Sequence, residues 1–327
     1  MAEYKGIKGF NIPTVSSDPP APFEGEVWYN STSGNIKYFA NLSASWATGG
    51  ALNTARYGIA GTGTLTAGLG FGGNPPNDGS NATEEYDGSA WTNGGNLGTA
   101  TRYAAGCGTQ TAALGTGGGP PTPANPSRKT QEYDGSSWTA GGDYVSPAHY
   151  LGGCGTQTAA LGFGGVSYSP PGAQVALNTT YKYDGSSWTS TGNLPTAMRK
   201  MSGTGTQTAA LSIGGQTYNP TNTFTLALEY DGSSWTNGGT LGTPRYNGMA
   251  AGIQTASVYY GGSGPGVNTE VYDGTSWTTS TNMSAPKNRS AAGGTSTSAF
   301  AAGGAPNSGG TTLEFSGGGP ATVTVGT

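Results

Sequence analysis

Few side chains in this sequence could carry out catalysis, and its carboxylates are the first candidates. Glycoside hydrolysis needs two carboxylates that flank the scissile bond. Among 17 Asp and Glu residues, Asp78 and Asp143 fall in connections between predicted strands, and they form the pair that we would test for hydrolysis. Five other aspartates recur in one phrase and are interpreted as turn formers: Asp87, Asp134, Asp184, Asp231 and Asp273. We therefore expect no enzyme activity, with a glycan-cleaving enzyme as the alternative.

Histidine and cysteine offer little further chemistry. His149 is the only histidine, whereas zinc and copper centres use several His or Cys ligands. We expect a structural His149, no metal and no cofactor. Cys107 and Cys154 occupy the same offset in adjacent repeats. A disulfide needs Cα atoms within about 7 Å, but packed sheets lie about 10 Å apart, so two free thiols are predicted.

The composition indicates an ordered all-β protein. The chain has 61 Gly, 9% charged and 33% hydrophobic residues, yet 7 Trp, 18 Tyr and 8 Phe recur in register. A net charge of −4 without any run of Lys or Arg argues against nucleic acid as a partner. No stretch approaches the roughly 20 apolar residues of a membrane span, so no membrane insertion is expected.

Repeats must position any site in this chain. The phrase Tyr-Asp-Gly-(Ser/Thr)-x-Trp-Thr occurs five times, and an earlier phrase is clearest as GTQTAALGFGG at 155–165. Each repeat predicts four short strands: a small-residue strand, an apolar strand ending in Gly-Gly, a strand ending at the Tyr and a strand beginning at the Trp. Asp-Gly is expected to supply the positive-φ positions of the last hairpin. The tryptophans lie 42–50 residues apart: Trp46, Trp91, Trp138, Trp188, Trp235 and Trp277.

The repeats resemble the kelch repeat over about residues 37–315. The features that carry the resemblance are the diglycine, the Tyr, the Trp and an Arg before the first strand, at Arg56, Arg102, Arg199, Arg245 and Arg289. Kelch proteins are β-propellers, so the resemblance implies an all-β, six-bladed kelch-type propeller. Because a sheet this polar cannot bury its faces alone, the aromatic side chains are expected to pack between neighbouring blades.

The two ends of the chain predict how the propeller closes. No Asp-Gly-x-x-Trp follows Phe315, and Trp46 has no diglycine strand before it. Residues 43–48 are therefore predicted to supply the outer strand of the last blade. The expected organisation is an extended attachment arm over 1–22 and a single propeller domain over 23–327, whose strands within 26–48 close the last blade. A seven-bladed alternative combines 26–30, 35–39 and 43–48 with 321–327.

Only the connection after each diglycine varies between repeats in length and sequence. These loops emerge on one face of an up-and-down blade, and loops on a rigid scaffold commonly bind ligands. The candidates for ligand binding are aromatic and amide side chains: Tyr168, Tyr218, Asn219, Asn222 and Phe224. The alternative is that the aromatic rings fold back over the blade edges.

The segment PPAPFEGEVWYNSTSGNIKYF, residues 19–39, resembles a hairpin phrase common in bacteriophage tail and fibre proteins, and Ser/Thr/Gly/Asn-rich kelch-like arrays resemble virion proteins of marine phages. The resemblance implies a non-enzymatic structural protein of the virion, made in the host cytoplasm. We expect a tail-fibre or receptor-binding adhesin that recognises a host-surface glycan, with the arm attached to other virion proteins. The alternatives are capsid decoration or a subunit of a homo-oligomeric appendage.

Overall fold

The computed structural model describes residues 12–74, 79–120, 126–169, 173–219, 222–306 and 309–325. These residues form strands, turns and loops, and the all-β class is confirmed. Within those ranges no helix is long and apolar enough to cross a membrane. The chain divides into two compact units, a large unit Ser45–Ser316 and a small unit made of Met1–Ala44 and Gly317–Thr327.

Six four-stranded antiparallel sheets make up the described part of the large unit, numbered here in the order of their first strands. Sheet 1 contains Ala60–Thr64, Ala67–Phe71, Thr83–Tyr86 and Trp91–Asn93. Sheet 2 contains Ala105–Thr109, Ala112–Thr116, Thr130–Tyr133 and Trp138–Ala140. Sheet 3 contains Gly152–Thr156, Ala159–Phe163, Thr180–Tyr183 and Trp188–Ser190.

The second half of the large unit repeats this arrangement. Sheet 4 contains Ser202–Gly205, Ala210–Ile213, Leu226–Tyr230 and Trp235–Thr240. Sheet 5 contains Met249–Ile253, Ala256–Tyr260, Thr269–Tyr272 and Trp277–Thr279. Sheet 6 contains Ala291–Gly294, Ser298–Ala302, Thr312–Ser316 and Ser45–Gly49. A separate hairpin pairs Val166–Ser169 with Ala173–Ala176.

The repeated Asp closes the hairpin between the third and fourth strands. Asp87 Oδ1 accepts hydrogen bonds from the backbone N–H groups of Ser89 (2.7 Å) and Ala90 (2.8 Å), and these bonds hold its pKa below the usual range. The turn-former interpretation is therefore correct. The loop differs from a two-residue hairpin, because it has four residues and a positive φ only at Gly88. The same bonds recur at Asp134, Asp184, Asp231 and Asp273.

The other repeated side chains join neighbouring sheets. Between sheets 3 and 2, Gln157 Nε2 donates to the carbonyl of Tyr133 at 2.7 Å, and Tyr183 donates to Glu132 at 2.5 Å. Trp188 donates to Thr130 at 3.0 Å. Equivalent glutamine bonds join the pairs 2 and 1, 4 and 3, and 5 and 4. The repeated phrases thus encode junctions between sheets, with all five of their tyrosines and Trp91, Trp188 and Trp235 buried and Trp138 and Trp277 partly buried.

The first strand of each sheet contacts the first strand of the next, and that of sheet 6 contacts that of sheet 1. Trp91 of sheet 1 donates to Thr312 of sheet 6 at 2.8 Å, and the Tyr86 hydroxyl donates to Glu314. This arrangement of four-stranded sheets is compatible with a β-propeller.

Of the residues within 26–48, only Ser45–Gly49 pairs in sheet 6, antiparallel to Thr312–Ser316. Val27–Asn30 and Asn35–Leu42 differ from the expectation, since they lie in the sheet of the small unit. The edges of this hairpin are occupied there, by Thr14–Val15 on one side and by Gly319–Thr324 on the other.

The N-terminal hairpin of the small unit is organised around Asp18. Its Oδ1 accepts from Trp28 Nε1 (3.0 Å) and Asn30 Nδ2 (2.8 Å), and Lys37 Nζ lies 2.8 Å from Oδ2. These bonds, with that of Lys37 the strongest, lower the pKa of Asp18 to about 2. The described part of the predicted arm, residues 12–22, is thus bound to the hairpin, and residues 1–11 lie outside the described residues.

Candidate functional site

In each sheet, the residue two positions before the first strand belongs to a cycle of backbone hydrogen bonds. Each of these residues donates its N–H to the carbonyl of its counterpart in a neighbouring sheet at 2.8–3.1 Å, and the cycle returns to its start. We call this set the residue ring, and it comprises Gly58, Tyr103, Tyr150, Lys200, Asn247 and Arg289.

All six ring residues have a left-handed backbone, with φ between 56° and 67°. Such a φ costs an L-residue with a Cβ roughly 1–2 kcal/mol, but costs glycine little. The chain contains 61 Gly, yet five of the six positions carry a larger side chain. Gly58 is the exception, because a Cβ there would lie 2.5 Å from the ring of Tyr103. Backbone strain of this kind is a reason to look for function at the ring.

The ring side chains line the mouth of a cavity of about 160 Å³. The rest of the lining is mostly Gly, Ala and Ser, among them Gly61, Gly106 and Gly203, with a few aliphatic side chains such as Leu151 and Met201. A second cavity of about 190 Å³ shares these glycines and is lined by Gly, Ala, Thr and Cys residues. The cavity lining therefore carries charged and aromatic side chains only at the mouth.

Four cations lie in the ring or directly before it: Lys200 and Arg289 line the cavity, and Arg102 and Arg199 occupy the preceding position. Lys200 Nζ lies 4.8 Å from the ring centroid of Tyr246, and three further cation–π contacts of 5.1–5.7 Å involve the arginines. Among the described residues, none of these four cations forms an ion pair with a carboxylate. Desolvation, followed by repulsion from Arg199 and Arg289, lowers the pKa of Lys200 to about 8.

The five repeated arginines are not equivalent in the fold. Arg56 and Arg245 stand two residues before the ring position, and they are buried in ion pairs with Glu84 (2.8 Å) and Glu270 (2.6 Å). Arg289 belongs to the ring itself. An alignment on arginine therefore combines three different positions: Arg56 and Arg245 form buried ion pairs, Arg102 and Arg199 directly precede the ring, and Arg289 lines the cavity.

His149 lies next to the ring and is buried, in agreement with a structural role. Its imidazole centroid is 4.8 Å from that of Tyr150 and 5.8 Å from that of Tyr168. Burial, and then the charges of Arg199 and its neighbouring cations, lower the pKa of His149 to about 4. The side chain is consequently neutral near pH 7.

Two of the predicted binding residues connect to the mouth. Tyr218 is 51% exposed, and the guanidinium carbon of Arg199 lies 5.1 Å from its ring centroid. Arg199 also donates to Gln174 at 3.1 Å, and Gln174 donates to the Tyr168 hydroxyl at 2.8 Å. A polar chain thus runs from the cationic mouth to these two tyrosines.

The remaining predicted residues are divided between surface and core. Asn219 and Asn222 are exposed in a turn in which the N–H of Asn222 donates to the carbonyl of Asn219 at 3.1 Å. Phe224 is half-buried and packs against the apolar cluster that contains Leu194 and Trp235. Its contacts correspond to the alternative in which loop aromatics cover the blades.

The residues considered for hydrolysis or redox chemistry lie elsewhere. Asp143 is exposed and pairs with Lys129 at 3.4 Å, and Asp78 lies outside the described residues. Cys107 and Cys154 are buried free thiols, as predicted, and burial raises the pKa of Cys107 to about 12.

Sequence reasoning missed the residue ring because its six members share no side-chain type. A usable signal was present in the spacing. Every ring residue stands five positions before a glycine with positive φ, as Tyr103 does before Gly108 and Arg289 before Gly294. Alignment on that glycine would have identified one variable position per repeat.

Comparison of the chain with protein-family models finds no match. Comparison with curated proteins also finds none.

Proposed function

We propose that this protein is a non-enzymatic, six-bladed kelch-type β-propeller of a bacteriophage virion that recognises a host-surface glycan. Six blades are supported by the six sheets of the described residues, the contacts between successive first strands and the cycle of ring hydrogen bonds. Pairing of Ser45–Gly49 with Thr312–Ser316 supports closure by strands from distant parts of the sequence. The phage assignment depends on the hairpin phrase within residues 19–39.

The observation that carries the recognition function is that the variable loops begin beside the cationic, aromatic mouth. Antiparallel bridges join residues next to the ring to the starts of these loops, including Arg102 to Gly119 and Arg199 to Gln216. Mouth and loops therefore form one face, on which rigid aromatic rings and charged donors lie close together. Such a combination is typical of ligand sites, in which a few polar groups orient a ligand on apolar walls.

A glycan array and host-cell adsorption test this function. We expect Tyr218→Ala and Tyr150→Ala to reduce binding by about tenfold each, because each removes an aromatic platform. Ile253→Ala is the matched control: Ile253 is 55% exposed but ends the first strand of sheet 5, at the side away from the ring. Absence of glycan binding and normal adsorption of all variants would contradict recognition and favour capsid decoration or an appendage subunit.

We propose that the small unit attaches the protein to other virion proteins. This is supported by exposed apolar side chains on one face of its hairpin, where Tyr29 stands opposite Ile36 and Val27 lies two residues earlier. Deleting residues 1–22 is expected to abolish incorporation into particles, but it also removes Asp18. Tyr29→Ser with Ile36→Ser is the sharper test because the Asp18 contacts remain, and unchanged incorporation of this variant would contradict the proposal.

A further inference from the structure

The geometry points to a more specific ligand: we infer that the residue ring binds the carboxylate or sulfate of an acidic saccharide. This inference rests on the proposed glycan recognition and names the class of sugar. The anionic group would sit between Lys200 and Arg289, with the sugar ring against Tyr103 and Tyr150.

The placement of cations is the first argument. The chain has only 13 Lys and Arg and a net charge of −4, but two of these cations line one mouth and two more stand at the preceding position of the same turns. Elsewhere, several cations have partners within the described residues: Arg56 and Arg245 pair with carboxylates, and Lys287 donates to the carbonyls of Gly303 (2.8 Å) and Thr311 (2.7 Å). Like charges held together without a carboxylate favour a bound anion.

Unused donor capacity is the second argument. A buried Nε without a partner is shared by Arg56, Arg245 and Arg289, but the other two arginines use their remaining nitrogens in hydrogen bonds, whereas the Arg289 guanidinium makes no hydrogen bond within the described residues. Turning the amide of Gln216 lets its oxygen accept from Lys200 Nζ at 2.9 Å and Arg199 at 3.2 Å, but this neutral acceptor does not balance their charge. A carboxylate or sulfate offers several acceptor oxygens, and hydrogen bonds between ionised partners are stronger than neutral ones.

The aromatic side chains favour a sugar over a simple ion. Tyr103 and Tyr150 stack with centroids 4.2 Å apart and an interplanar angle of 27°, and Tyr57 lies 6.4 Å from Tyr103. Tyrosine faces pack against the C–H groups of a sugar while their hydroxyls stay in water. The side-chain amide of Asn247 adds a neutral donor and acceptor for sugar hydroxyls.

The size of the mouth limits the ligand. Its cavity of about 160 Å³ is smaller than the roughly 300 Å³ that encloses a drug-sized ligand. One acidic sugar unit fits this scale, with the remainder of a glycan extending toward the loops. A nucleic acid instead requires a track of cations along its backbone.

The test uses the full-length protein and two saccharides with the same sugar chain, trigalacturonic acid and its methyl ester, in which esterification removes the negative charge of the carboxylates. We expect calorimetry to show the acid binding at least about tenfold more tightly, and Arg289→Gln or Lys200→Gln to remove that difference. Lys129→Gln is the matched control, because Lys129 is an exposed cation outside the ring that pairs with Asp143. Sulfated and unsulfated galactose form a second pair, which separates the two anionic groups.

The outcomes separate this inference from the proposed function. If the acid and the ester bind equally and Tyr218→Ala still weakens glycan binding, the inference of an acidic ligand is wrong. The proposed glycan recognition then remains. If polyglutamate binds as tightly as trigalacturonic acid, the site recognises negative charge without a sugar, and the inference of a saccharide ligand is wrong. If no saccharide in either pair or on the glycan array binds, both proposals fail. A melting temperature within about 2 °C of wild type for each variant ensures that a binding loss reports the site.

Discussion

At five positions of the residue ring the chain carries a side chain where glycine would relax the backbone. Tyr103, Tyr150, Lys200, Asn247 and Arg289 all have φ between 56° and 62°. Their N–H groups make the same hydrogen bond as that of Gly58, so the backbone does not require these side chains. The strain is explained if the side chains are needed at the mouth.

Arg289→Gly tests whether the arginine lowers the stability of the fold while it is needed for binding. We expect the free energy of unfolding to stay unchanged or rise by up to about 1 kcal/mol, because relief of the left-handed strain exceeds the entropy cost of glycine. Binding of trigalacturonic acid should be lost. Chemical denaturation measures the first and calorimetry the second. Ala104→Gly, at a position with ordinary φ, is the control and should lose about 0.5–1 kcal/mol. A loss above 1 kcal/mol for Arg289→Gly would mean that the arginine holds the fold.

The lowered pKa of Lys200 predicts how binding changes with pH. The ammonium deprotonates as the pH rises through about 8, so affinity for an acidic saccharide should decrease between pH 7 and pH 9. His149, whose pKa is lowered to about 4, stays neutral over this range. In Lys200→Gln, the dissociation constant for the acidic saccharide should not change between pH 7 and pH 9. An equal decrease in that variant would assign the pH dependence to another group.

The same lowered pKa has an opposite consequence for stability. Between about 8 and the ordinary value of 10.5, the unfolded chain binds a proton at Lys200 that the folded chain does not. Stability contributed by this residue therefore rises with pH across that window. The pH dependence of unfolding should thus run against the pH dependence of binding, which distinguishes loss of the cation from loss of the fold.

At the scale of elements, the junction between two sheets is the repeated unit of stability. The junctions of sheets 2 and 1, 3 and 2, and 4 and 3 each combine an aromatic cluster with hydrogen bonds of Gln, Tyr and Trp side chains. In the junction of sheets 3 and 2, Trp188 is 7% exposed and contacts the rings of Tyr144 and Tyr183 at 4.8–4.9 Å. A sheet removed from its neighbours would expose this surface.

Trp188→Ala should therefore lower the free energy of unfolding by about 3–5 kcal/mol, the usual cost of truncating a buried large aromatic. Trp188→Phe retains an aromatic ring but loses the hydrogen bond to Thr130, and we expect a smaller loss. Thermal melting of the two variants provides the measurement. An unchanged melting temperature for Trp188→Ala would show that this side chain does not stabilise the core.

The sequence was informative where a structure depends on local bonds. The Asp87 turn is formed within four residues, so one repeated phrase was sufficient to predict it. The free thiols followed from the spacing of packed sheets. Val27–Asn30 was harder to assign because its sheet includes Gly319–Thr324 from the other end of the sequence, and no local pattern specifies a distant partner. The residue ring was missed because its function depends on differences between repeats.

At the scale of the whole molecule, Ser45–Gly49 joins the sixth sheet to the beginning of the large unit. A chain that starts at residue 50 would leave the edge of Thr312–Ser316 unpaired. We expect that chain to lose cooperative unfolding or to aggregate, because an unpaired strand edge readily pairs with another chain. Differential scanning calorimetry should show a single transition for the full chain. An undiminished transition in the shortened chain would contradict closure through this strand.

The central claim is that six sheets hold one cationic, aromatic mouth that recognises an acidic sugar. A crystal structure of the full chain with trigalacturonic acid tests it most directly. We predict a carboxylate oxygen within about 2.7–2.9 Å of Lys200 Nζ or of the Arg289 guanidinium, with the sugar ring against Tyr103 or Tyr150. A sugar bound only at the turn of Tyr218 and the neighbouring asparagines, away from the ring, would contradict the claim.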